Sequence, residues 1–159
     1  MSEETPSRTL SVEDLEARVG QEIGLSDWHE ITQDLIDRFA GVTGDDQFIH
    51  VDPARAAAET PFGGTIAHGF LTLSLLSQFG REALPAIKGR TMGINYGFGQ
   101  IRFLSPVKSG ARVRGRFTLS SLERRAERQI LLRHAVTVEI EDVAKPALAA
   151  EWLTMAVMG

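Results

Sequence analysis

Apolar residues recur at helical spacing through the first half of the chain and at every second position through the rest. Ser11, with Glu13 and Asp14 behind it, opens a short helix that Gly20 ends, and Glu22 to Trp28 reads as a strand with His29 as a surface residue at its edge. Thr32 caps a second helix on which Leu35, Ile36, Phe39 and Ala40 share a face, and Gly44 ends it. Asp52-Pro53 is an N-cap followed by a first-turn proline, opening a helix through Glu59 that Pro61-Phe62-Gly63-Gly64 breaks. Beyond the break, His68 to Leu76 is apolar on nearly every side. That predicts one buried helix from about His68 to Leu84, with Pro85 behind it.

From Thr91 the period changes to two. Ile94, Tyr96 and Phe98 share a face, and Ile101 and Phe103 alternate with Gln100 and Arg102. Pro106 and Gly110 bracket a turn. Val113, Gly115, Phe117 and Leu119 then alternate with Arg112, Arg114, Arg116 and Thr118, which predicts a solvated arginine face. Glu123 to Arg128 is a polar hairpin tip. Ile130, Leu132, His134, Val136, Val138 and Ile140 face together, so His134 is expected in the core as a hydrogen-bonded histidine, and a strand from Leu148 to Met158 closes the chain. Helices followed by long antiparallel strands define an α+β class in which one sheet covers one long helix. Such a sheet leaves edges exposed, and two copies pairing edge to edge is the economical remedy.

The 159 residues suit one domain, taken as residues 10–159 after a flexible tail of residues 1–9. With 43% hydrophobic and 24% charged residues the chain has the composition of a globular protein. A net charge of -4 without a Lys/Arg cluster argues weakly against a nucleic-acid partner, which needs a basic face. The lack of cysteine rules out disulfides, thiolate metal sites and a cysteine nucleophile. Met1 to Arg8 is polar and acidic, and no stretch approaches the roughly 18 apolar residues of a membrane span. A cytoplasmic protein with no membrane partner is expected.

Candidate chemistry gathers in the loop Gly44-Asp45-Asp46-Gln47-Phe48-Ile49-His50, which hangs from a helix end and holds a carboxylate and an imidazole. From spacing alone, Asp45 reads equally as a solvated loop carboxylate and His50 as a packed loop histidine. Asp46 reads as solvated and Asp52 as a cap. Gly69 lies in the first turn of the central helix, where amides lack partners and the macrodipole favours negative charge; its missing side chain either admits a ligand or makes room for packing. Ser74 reads as readily as a helix serine bonded back to a carbonyl one turn earlier. No metal is expected: Asp45, Asp46, His50, Asp52 and His68 are loosely spaced donors, with no histidine pair at helix spacing. Gly93 to Gly99 lies within strands and opens no helix, so it is no dinucleotide fingerprint.

In order and spacing, these residues resemble the MaoC-like dehydratases and (R)-specific enoyl-CoA hydratases, which adopt the hot-dog fold. The resemblance runs from about Ile31 to Pro106 and rests on five features: the Gly44-Asp45 to His50 loop, Asp52-Pro53, Ile66-Ala67-His68-Gly69, Ser74, and Arg102-Phe103-Leu104-Ser105-Pro106-Val107. Gln47-Phe48 stands where the family usually has Asn-Pro, as in the branch related to the nodulation protein NodN. The resemblance implies a single hot-dog domain, a long central helix wrapped by a curved antiparallel sheet, working as a homodimer whose partner completes each site. It also implies hydration of trans-2-enoyl-CoA to (R)-3-hydroxyacyl-CoA, or the reverse dehydration. In that reading Asp45 is the principal base, His50 its partner, Gly69 the oxyanion donor and Ser74 an assisting residue. His68 shapes the start of the helix. No cofactor is implied, since coenzyme A is part of the acyl-CoA substrate. A hot-dog thioesterase is the second reading, disfavoured by the Asp45–His50 spacing. A non-catalytic acyl-thioester binding module is the third, disfavoured by the intact Asp, His and Gly.

Overall fold

The computed structural model describes residues 8–159; residues 1–7 of the expected tail lie outside the described residues. Local signals set the starts of three of the six described helices. After strand β1 (Thr9–Leu10), Ser11 accepts the Asp14 N–H and opens α1 (Val12–Glu16). Two short strands follow, β2 (Glu22–Leu25) and β3 (His29–Glu30). Thr32 accepts the Leu35 N–H at 3.1 Å to open α2 (Gln33–Thr43), which stops at Gly44 in a left-handed turn with φ 79°. The loop beyond is not wholly irregular, because Phe48–Val51 makes a single helical turn, α3, that carries His50. Asp52 then caps α4 (Pro53–Glu59), with Pro53 in the first turn.

The central helix differs from the single buried rod expected. It is bent into α5 (Gly69–Ser74) and α6 (Leu76–Ala83), which meet at Leu75. Only one side is buried: Leu71, Leu76 and Phe79 pack inward, while Phe70, at 67% exposure, shares the open side with Ser74, Ser77 and Arg81. The apolar run concealed this division, because Phe70 is apolar and yet outward-facing. None of the described helices is long and apolar enough to cross a membrane.

After β4 (Ala86–Ile87), which pairs in parallel with β1, four long strands complete the fold: β5 (Arg90–Phe103), β6 (Arg112–Arg124), β7 (Gln129–Ile140) and β8 (Val143–Met158). They form an antiparallel sheet in the order β2-β6-β7-β8-β5, with β3 also on β6. Phe117 pairs with Val136, and Val136 with Ala150, so one face of the sheet is continuous beneath Leu71, Leu76 and Phe79. Burying Phe79 and Phe117 stabilises the fold by roughly 1.5–3 kcal/mol each. Gly115 lets helix and sheet approach, since a Cβ there would sit 2.9 Å from Cβ of Phe79. The result is the α+β hot-dog arrangement.

Three details depart from expectation. β8 begins at Val143 rather than Leu148; its register with β7 shifts between Val138 and Ile140, and that irregularity accommodates Pro146, which has no N–H for the ladder. Arg112, Arg114 and Arg116 are not merely solvated. They pair with Glu141, Glu139 and Glu22, and Arg114 lies 4.3 Å over the Trp28 ring. The Arg116 guanidinium, with Arg114 beside it, holds the Glu139 carboxyl below the usual carboxylate range. His134 is in the core beside Phe117, but its Nδ1 has no hydrogen-bond partner. Burial pushes its pKa down to about 4.

Candidate active site

Three segments meet at the start of α5. The left-handed turn at Gly44 releases the chain from α2 and leaves Asp45 exposed, while one helical turn buries His50 to 7% exposure. The His50 Nδ1 lies 2.7 Å from the Ile66 carbonyl oxygen, which only accepts, so Nδ1 carries the proton and Nε2 keeps its lone pair. The Ile66 N–H bonds the Ile49 carbonyl, and the Gln33 amide donates to the His50 carbonyl at 2.7 Å. Gln33 also accepts from the Thr65 hydroxyl. The imidazole is thereby fixed by α2 on one side and by the strand-like approach to α5 on the other.

His68 joins this pair, a placement that spacing did not reveal. Its Nε2–H donates to the Asp45 carbonyl at 2.8 Å, and its ring stacks on His50 with centroids 3.8 Å apart and planes 25° apart. Phe39 closes the ring's surroundings at 5.0 Å. Donor atoms of Asp45, His50 and His68 all lie within 4.8 Å of one another. One sequence signal did mark His68: it occupies an N-cap, where Ser, Thr, Asp and Asn are favoured, yet makes no capping bond. The trio does not suit a tetrahedral metal. Only three ligand residues gather, short of the four protein ligands of a structural zinc site, and one nitrogen of each ring is already bonded to a carbonyl. Asp46 is exposed and lies outside the trio, and the Asp52 carboxylate is engaged as a cap.

Gly69 is the first residue of α5, and no acceptor takes its N–H among the described residues. It borders a cavity of about 270 Å³ lined also by Phe62, Ile66, Thr72, Phe103 and Val107. Ile66, whose carbonyl meets His50, and Gly69, which follows His68, therefore connect this cavity to the Asp45, His50 and His68 trio. Ser74 is not gathered in: it lies on the open side of the helix, and its hydroxyl donates to the Phe70 carbonyl at 2.7 Å. A larger cavity of about 470 Å³, beside Trp28, Arg114 and Glu139, opens on the opposite face of the sheet.

Fold and site together define a hot-dog domain that gathers a carboxylate and two imidazoles around the N-cap of its central helix. The chain belongs to the MaoC-like domain family, whose model matches residues 14–142. It is 55% identical over 146 residues to nodulation protein N of Rhizobium leguminosarum bv. viciae, covering 92% of this chain and 91% of the relative. It is 48% identical over 141 residues to 3-hydroxyacyl-thioester dehydratase Z of Mycobacterium tuberculosis, covering 89% and 92%. Among solved structures, an R-hydratase from Pseudomonas aeruginosa matches with a TM-score of 0.66 and 29% identity, over 89% of this chain and 83% of that one.

Proposed function

We propose that the protein adds water across the double bond of a trans-2-enoyl-CoA to give the (R)-3-hydroxyacyl thioester, or removes that water in reverse. The observation that carries the reading is the convergence of Asp45 and His50 on His68, the N-cap that immediately precedes Gly69, whose N–H has no acceptor among the described residues. With its Nδ1–H spent on Ile66, His50 offers Nε2 as an acceptor, so imidazole and carboxylate both accept from one water. As Asp45 takes a proton, the water oxygen bonds C3 and the π electrons move through C2 toward the thioester oxygen. The Gly69 N–H donates to that oxygen while its charge grows. The proton held by the pair then passes to C2, restoring the thioester and leaving every atom of water in the product. Coenzyme A enters as part of the substrate, and no step needs a further cofactor.

A second copy of the chain completes this reading. Among the described residues β5 is hydrogen-bonded only to β8, so its other edge has no strand beside it, and Met92, Ile94, Tyr96 and Phe98 are exposed along it. Incubating the protein with crotonyl-CoA tests the chemistry. Loss of the conjugated double bond, an (R) product and no free thiol are expected; thiol release as the main event would identify a thioesterase instead.

A further inference from the structure

We propose that His68 is a positioning residue that holds the Asp45 loop in register with His50 and Gly69. The inference rests on the hydratase reading for its kinetic consequence and on geometry for the rest. His68 is 3% exposed, and its Nε2–H reaches back to the backbone carbonyl of Asp45. Asp45 itself is exposed at the end of a left-handed turn, and among the described residues its backbone makes one other hydrogen bond, a long one of 3.4 Å from its N–H to the Thr43 hydroxyl. The His68 bond is therefore the main restraint on where that carboxylate stands. The same ring lies flat on His50, so one side chain touches both members of the pair.

The backbone of His68 ties the same residue to the start of α5. As the N-cap it immediately precedes Gly69, and because its side chain is turned toward Asp45 it does not cap its own helix. A serine or aspartate there would satisfy the first-turn amides and compete for the end of the helix that must face the thioester oxygen. The Nδ1 of His68 is buried without a partner among the described residues, so the bond to the Asp45 carbonyl is the one hydrogen bond its ring makes there.

Two substitutions separate the bond from the bulk. His68→Phe keeps a flat ring between Phe39 and His50 but loses the donor; His68→Gln loses the ring but keeps an N–H near the Nε2 position. With crotonyl-CoA, His68→Phe is expected to lower kcat about 10- to 100-fold with KM within about threefold, as for a misplaced catalytic group, and His68→Gln to recover most of that loss. Native kcat in His68→Phe, or equal losses in both variants, would overturn the proposal. If His68→Phe does not fold, His68→Asn replaces it, since its amide is too short to reach the Asp45 carbonyl, and the same outcomes apply. Amide exchange over residues 44–47 decides the matter even if the native protein fails to hydrate enoyl-CoA. Faster exchange in His68→Phe than in the native and Gln proteins supports the restraint, whereas equal exchange in all three refutes it.

Discussion

The ring of Phe103 lies against Gly69 so closely that a Cβ on the glycine would come within 2.9 Å of it. Phe103 is 52% exposed and also meets Phe70 edge-on, so its ring has room to swing outward. Gly69→Ala should therefore leave stability within about 1 kcal/mol of native, because the displaced atoms end a flexible side chain. The new methyl and the shifted ring stand where a thioester must approach the amide. Turnover of crotonyl-CoA should fall by about 10²-fold, the usual worth of one oxyanion donor. Because the N–H itself survives the substitution, an unimpaired Gly69→Ala enzyme would show that the thioester does not approach this amide across the new methyl and the Phe103 ring.

Asp45→Asn preserves shape but accepts no proton, and His50→Ala removes its partner; each should lower turnover by about 10²- to 10⁴-fold. The double variant should be little worse than the worse single one, since both act on one water. Their melting curves should differ. Asp45 is exposed and its substitution should not move the midpoint, but His50 is buried, bonded to Ile66 and stacked on His68, so His50→Ala should cost about 1–3 kcal/mol. Asp46→Asn should change neither rate nor stability. Rates and melts for all four proteins decide it; native turnover in Asp45→Asn would place the chemistry elsewhere.

The buried His134 predicts acid sensitivity. Burial lowers its pKa from 6.5 to about 4, so the unfolded chain takes up a proton first as the pH falls. Stability should be complete above about pH 6.5 and decline as the pH drops toward 4, by about 3 kcal/mol at most over that window. His134→Leu, apolar and of similar bulk, should flatten this part of the profile. Urea unfolding at pH 7 and pH 4.5 measures it, and equal losses in both proteins would assign the effect to other groups.

How much of this was legible in the sequence depended on the reach of each interaction. Ser11, Thr32, Gly44 and Asp52 act within one helical turn, and each stands where its residue type indicates. Alternation put Arg114 and Arg116 on the face away from the core, but their partner Glu139 lies across the hairpin, beyond a single-strand reading. The bend at Leu75 has neither proline nor glycine to announce it. His50 and His68 are held by carbonyls 16 and 23 positions away, at Ile66 and Asp45, and only the closed fold brings those pairs together. The candidate pair was visible as residues; what orients it was not.

The free edge of β5 yields the last prediction. Fourteen residues long, β5 pairs with β8 alone among the described residues, and Met92, Ile94, Tyr96 and Phe98 remain exposed along a strand whose outer edge no other described strand covers. The opposite edge is treated differently, because β2 and β3 are short and end the sheet without a long apolar border. A second copy docking β5 to β5 would extend the sheet and cover those side chains through a two-fold interface. The open side of the central helix, with Phe70 and Ser74, would then have a neighbour near the site. Sedimentation should give a dimer. Ile94→Lys with Phe98→Lys should shift it to monomer by placing charge at the centre of the interface, and crotonyl-CoA turnover should fall with dimer content as the protein is diluted. A native monomer of full activity would sink both the interface and the idea that the partner completes the site.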